Sequence, residues 1–409
     1  MSLDLVLRQC RIAGREDATV DVGIKDGRIA AIAPDLPNSV PAEHLGGRLV
    51  LPGFIETHIH LDKSCILDRC QTESGSLKDA IAAVADAKRA FTEDDVYARG
   101  RRTLEKAILQ GTTRMRTHVE VDPRIELRSF NAIKQLKRDY AWAIDLEICV
   151  FPQEGLLNDP GTDELLIKAC HDGADLIGGC PYTDTQPDAH IARIFDIARQ
   201  FDLDIDFHLD FDLDPSWMHL DAVCRHATAQ QWGGRVAVGH VTKLSALAPA
   251  RFAEMGRRLA DAGVAVTVLP ATDLFLMGRE HTHNAPRGVT RAHHLLHRGV
   301  TCSISTNNVL NPFTPFGDCS LIRMANLYAN IAQVDRPADF ASCFDMVTSL
   351  PARLMNLTDY GITVGNPADI VVLDADSRAA ALAELSQPLF GLKRGRRSFS
   401  RAAPVLHTP

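Results

Sequence analysis

Residues 50 to 63 read VLPGFIETHIHLDK and contain two histidines one residue apart, His58 and His60. Side chains alternate faces on a strand, so both rings share one face, and Glu56 falls on it too. Two imidazoles so placed reach one metal ion from a single strand. A bare HxH is equally a pair of satisfied core or surface histidines, so the rest of the chain must decide. Three more histidines lie at or near the ends of apolar runs: His118 in TTRMRTHVE, His208 in LDIDFHLD and His240 in RVAVGHV. Two further runs end in amides and an acid, FPQEG (Gln153, Glu154) and STNN (Asn307, Asn308). A divalent ion held by imidazoles brings a bound water to a pKa of about 7, which supplies hydroxide near neutrality.

The elements that must position these residues follow from periodicity. Eight β-prone stretches occur in order: GFIETHIH, TTRMRTHVE, AIDLEICVF, ADLIGGCP, LDIDFHLD, RVAVGHV, VAVTVLP and VTCSIST. After the first, they recur about every 30 residues, the size of a strand-plus-helix unit. Between the first two, Thr92-Glu93-Asp94-Asp95 reads as an N-cap with an acidic first turn, and Gly111 as the stop of that helix. Strands alternating with helices predict a (β/α)8 barrel spanning 53–361, with its active site where the strands end. The excursion from Asp62 to Phe91 supplies part of a lid. Residues 1–52 and 362–409 are both rich in short strands, with Asp26-Gly27 as a tight turn, and predict one small β domain built from both chain ends.

The chain has 409 residues, 45% hydrophobic and 23% charged, an ordinary globular composition. A net charge of −8 argues against a nucleic-acid or anionic-membrane surface. Ten scattered cysteines without a CxxC pair read as reduced core thiols. No basic-then-apolar leader opens the chain, and no apolar run reaches the roughly 18 residues of a membrane helix. These features predict a soluble cytoplasmic protein.

In order, LPGFIETHIHLDK, THVEVDP, FPQEG, FHLD, VGHVTK and STNNVLNPFTPFGD resemble the strand-end motifs of the amidohydrolase superfamily, in its cytosine deaminase-like branch. YGITVGNPADIVVLD resembles that family's return to its small β domain. The resemblance covers nearly the whole chain. It implies hydrolysis of a C–N bond in a small cyclic or heteroaromatic compound. It further implies that His58, His60 and His208 bind one divalent metal, zinc before iron or manganese. His240 would contact the metal's water, Gln153 would meet the substrate's polar edge, and the protein would be an oligomer. The fourth strand, LIGGCP, offers no lysine to bridge a second ion, so a single metal is expected.

Two departures matter. The family's strand-8 aspartate is Asn307 here, followed by Asn308 where a second acid is usual, and its strand-5 glutamate falls at Phe211. An amide oxygen coordinates a metal weakly and is no base near neutral pH. Asn307 is therefore expected as a weak ligand, and Asn308 as a substrate contact. Strand alternation carries Asp206, His208 and Asp210 onto one face and makes Asp210 the candidate proton carrier beside His240. Lys63 and Asp62 form either a structural ion pair or a contact to an anionic substrate group. His281 and His283 either line the pocket or belong to a polar loop. The lost acids also leave a second reading open: a degenerate relative that binds a small ligand without turning it over. The retained histidines and Gln153 weigh against it.

Overall fold

The computed structural model describes residues 3–70, 72–402 and 404–407. Five short strands open the chain: β1 (Leu5–Ile12), β2 (Arg15–Lys25), β3 (Arg28–Ala33), β4 (Ala42–His44) and β5 (Leu49–Leu51). Asp26 and Gly27 turn β2 into β3 with φ of +48° and +75°, the left-handed pair that a two-residue hairpin needs. The eight expected central stretches form β6 (Phe54–Ile59), β7 (Thr112–Glu120), β8 (Asp145–Phe151), β9 (Leu176–Ile177), β10 (Asp204–Leu209), β11 (Val236–His240), β12 (Val264–Val268) and β13 (Cys302–Ile304). They pair in parallel and in chain order. Helices follow each strand: α1 (Leu77–Ala87) and α2 (Glu93–Leu109), then α3 (Arg128–Asp139), α4 (Thr162–His171), α5 (Pro187–Phe201), α6 (Leu220–Ala229) and α7 (Pro249–Ala262). After β12 come α8 (Pro270–Leu276) and α9 (Ala292–Leu296); after β13 come α10 (Leu321–Ala332), α11 (Pro337–Asp345) and α12 (Ser349–Leu354). The architecture is a (β/α)8 barrel.

The chain then returns as β14 (Ile370–Leu373), α13 (Arg378–Ala383), β15 (Pro388–Lys393) and β16 (Arg396–Ser400). β14 pairs with β5, which joins both chain ends in one small sheet of order β16-β15-β14-β5-β1-β2-β3, with β4 on β1. Lys393 ties this sheet to the barrel: its buried ammonium donates to Asp145 at the start of β8, to the Thr113 carbonyl and to Asp369.

Barrel strands buried on both faces favour unbroken apolar runs, which is why their positions were readable. The helices carry their own caps. The Thr92 side chain accepts from Asp95 N at the start of α2, and Gly111 follows its end at φ +87°. Ile55 and Ala237 pack against Ala352, Leu354 and Met355, closing the barrel floor beneath the strands. The barrel seam closes between β6 and the chain beyond β13, where Asn307 N donates to the His58 carbonyl at 2.9 Å and His60 N donates to the Asn307 carbonyl at 3.0 Å.

Candidate metal centre

The seam places chemistry at the barrel mouth. The two histidines of the HxH pair are held by the Asn307 backbone on one side, and β7 lies on the other. A bulge in β6 sets four residues, Glu56 to Ile59, against three in β7, Met115 to Thr117. It breaks the simple alternation, so the expectation that Glu56 shares the histidines' face fails. Thr57 bonds the hydroxyls of Ser303 and Ser305, while the Glu56 carboxylate accepts from the amides of His58 and Thr306. Burial pushes the Glu56 carboxyl up to about 7.

His208 arrives from β10 and meets both rings. Its Nε2 lies 3.0 Å from His58 Nε2 and 3.1 Å from His60 Nε2. Nitrogens bound at 2.0–2.1 Å to one tetrahedral ion stand about 3.3–3.4 Å apart, so each of these two separations suits a pair of imidazoles sharing a divalent cation. Burial holds all three rings well below their ordinary pKa, helped by neighbouring imidazoles and, at His60, foremost by the Lys63 ammonium. Neutral imidazoles present the lone pairs that metal binding requires. Both polar ends of the buried Asn307 amide lack a partner. The donor set therefore fits the ion expected of it. Packing reinforces the geometry: a Cβ at Gly239 would come within 2.9 Å of the His58 ring, and Phe151 stacks on His208 with centroids 4.4 Å apart.

His240 ends β11 at φ +69°, and one nitrogen each of His58, His208 and His240 lie within 4.8 Å of one another. Its Nδ1 is hydrogen-bonded to Asp273 Oδ1 at 2.7 Å, and Phe211 stacks on the ring at 3.7 Å and 22°. Gln153 accepts from Lys63 Nζ at 3.0 Å and donates to Cys180 Sγ. Lys63 does not pair with the Asp62 carboxylate through its ammonium. It donates to Glu120 at 2.7 Å and lies 4.5 Å from the Phe313 ring centre.

Other candidates stand farther off. Asp210 adopts φ +48°, which turns it out of the strand's alternation, and its two carboxylate oxygens accept from His219 N and Leu220 N where α6 begins. Burial pushes its pKa up to about 6. Asn308 accepts from Asn311 and lines a cleft of about 440 Å³ with Phe275, Phe316 and Met324; no histidine of the cluster lines that cleft. His281 and His283 are exposed.

Four charged or aromatic neighbours carried no role in the sequence. His118 stacks on His58 at 3.8 Å, and its Nε2 lies 3.5 Å from Asp206 Oδ1. Asp206 also accepts from Arg116 and stands 3.9 Å from His58 Nδ1. Lys88, just beyond α1, donates to Glu120, Asp122 and Glu154, filling an acidic triad of metal-like spacing with an ammonium. Asp273 lies in α8, after the seventh strand, where no chemistry was expected. A lone acid five residues after that strand was the only signal for it.

Residues 110–389 match the amidohydrolase family. A pterin deaminase from Rhizobium rhizogenes is 28% identical, covering 92% of this chain and 87% of its own length. An N-isopropylammelide isopropyl amidohydrolase from Pseudomonas sp. is 26% identical over 96% of each chain. The crystal structure of a 5-methylcytosine deaminase from Klebsiella pneumoniae, liganded with 5-fluorocytosine, superposes with a TM-score of 0.94 at 27% identity, covering 99% of both chains.

Proposed function

The chain belongs to the amidohydrolase family and is a metal-dependent hydrolase of C–N bonds, a premise from which we propose the roles of its residues and the class of its substrate. His58, His60 and His208 hold the ion. Asn307 adds its carbonyl oxygen as a weak further ligand. Zinc is the first choice for three neutral imidazoles, ahead of iron and manganese. Such an ion activates water as a nucleophile near neutral pH.

The chain's own groups supply the rest. His240 takes a proton from the attacking water and returns it to the departing nitrogen. Asp210, the alternative carrier, has both carboxylate oxygens committed to the amides at the start of α6, which favours His240 for both transfers. Gln153 and Lys63 form one bonded edge of the site and orient the substrate's polar rim. Phe151, Phe211 and Phe313 supply apolar faces beside the imidazoles and the ammonium. Asn308, on the neighbouring cleft, contacts a substituent rather than the reacting ring. The relatives are named for pterin, N-isopropylammelide and 5-methylcytosine, which supports a small nitrogen heterocycle as substrate.

The observation that carries this reading is the approach of His208 Nε2 to the Nε2 atoms of both His58 and His60, at 3.0 and 3.1 Å. A second reading, ligand binding without turnover, draws on Asn307 and Phe211 in place of the family's two acids. Elemental analysis of protein purified without chelator separates the possibilities, together with a screen of cyclic amides, pterins, pyrimidines and aminotriazines for released ammonia or amine. Near one ion per chain with turnover supports the hydrolase, and His58→Ala and His208→Ala should lose both ion and activity. Full occupancy without turnover favours the binding reading. Metal retained by both alanine variants would overturn the assigned ligands.

A further inference from the structure

The geometry points to Asp273 as the positioning residue that sets the tautomer of His240: its carboxylate takes the Nδ1–H and leaves the Nε2 lone pair toward the histidine cluster. The inference rests on the hydrolase reading and assigns its proton carrier a partner.

Among the described residues, no other carboxylate is hydrogen-bonded to an imidazole of the cluster. Asp206 stands 3.5 Å from His118 and 3.9 Å from His58, whereas Asp273 Oδ1 is 2.7 Å from His240 Nδ1. The Asp273 side chain is fully buried, and its other oxygen accepts only from Leu269 N, at 3.2 Å. Its single ionic partner is His240. A buried carboxylate without a lysine or arginine is costly, and a helix cap alone does not require one there. Phe211 fixes the plane of the same ring by stacking on its face. Val241, a β-branched residue at φ +42°, and His240 at φ +69° show that the backbone bends sharply to bring the ring into place. The ring is thus held from its edge, its face and its backbone.

In the reaction, a C–O bond forms from water as the C–N bond breaks. One water proton passes to His240 Nε2 and leaves on the departing nitrogen, while Nδ1–H stays with Asp273 throughout. No oxidant, reductant or further co-reactant is needed.

The test uses the full chain labelled with 15N-histidine, with the His240 signals identified by their loss in His240→Gln. The expected wild-type spectrum shows His240 with a protonated, low-field Nδ1–H and an unprotonated Nε2. Asp273→Asn should lose that low-field proton and mix the tautomers; Asp273→Glu should restore it. For the substrate that the screen returns, Asp273→Asn should lower kcat by about 10²- to 10⁴-fold at near-constant KM and unchanged metal content. A wild-type His240 protonated at Nε2 would overturn the inference, and so would an unchanged spectrum in Asp273→Asn. The wild-type spectrum decides even where a variant fails to fold. Absence of turnover in the whole screen would sink the hydrolase reading while leaving the tautomer result standing.

Discussion

Asn307 occupies two roles at once: its backbone closes the barrel against His58 and His60, and its buried side-chain amide has no partner. A neutral amide tolerates that position in the metal-free protein, where a lone carboxylate would be heavily penalised. With an ion present the preference reverses, because an ionised oxygen is the stronger ligand. Asn307→Asp should therefore raise metal affinity by about tenfold or more, read by competition with a chromogenic chelator. Unchanged affinity would place this side chain outside the ion's reach. The identity of Asn307 was visible in the sequence. Its unpartnered state was not, since that depends on how distant parts of the chain pack around it.

At the scale of elements, the end of the excursion between β6 and α2 is anchored by the Lys88 ammonium. Lys88 enters the mouth and neutralises Glu120, Asp122 and Glu154, and Lys63 shares Glu120 from the other side. Burial raises the Glu154 pKa, with Glu120 and Asp122 adding to it and Lys88 opposing. Lys88→Met takes the shared cation from three acids, of which Glu120 alone keeps a bonded ammonium in Lys63, and should cost about 3–5 kcal/mol at neutral pH. The sign of its pH dependence follows. Without the cation, the folded pKa values rise above the unfolded value of about 4, so stability is retained below that pH and lost as pH climbs through the raised values. Urea unfolding at pH 5 and pH 8 should show the larger deficit at pH 8; an equal deficit at both would refute the caged-acid account. Helix boundaries such as Thr92 and Gly111 were legible because caps are local. The bulge in β6 and the left-handed turn at Asp210 were not, and they redirected Glu56 and Asp210 away from the positions that strict alternation predicted.

At the scale of the molecule, the small sheet and the barrel are joined by a buried lysine. Lys393 bonds Asp369 on its own side and Asp145 and the Thr113 carbonyl on the barrel side. Lys393→Met should cost about 2–3 kcal/mol, less than a fully enclosed pair because the Asp145 side chain is 32% exposed. Calorimetry should show a lowered melting temperature with metal content unchanged, since the histidine cluster lies at the mouth, opposite the strand ends that Lys393 grips. Loss of the ion in this variant would mean that the sheet shapes the metal site as well as the stability.

The sequence by itself determined the barrel, the order of its eight strands and the histidines at their ends. Each of those is written locally: a buried parallel strand imposes a short apolar run, and a site at the strand ends imposes polar residues just after it. Only the tertiary structure decided which polar groups meet. His240 finds Asp273 across 33 residues, His58 stacks on His118 from the next strand, and Asp210 turns to the amides of α6. Such pairings depend on a bulge, a seam and a few left-handed residues, which change the direction of a side chain without leaving a period in the sequence.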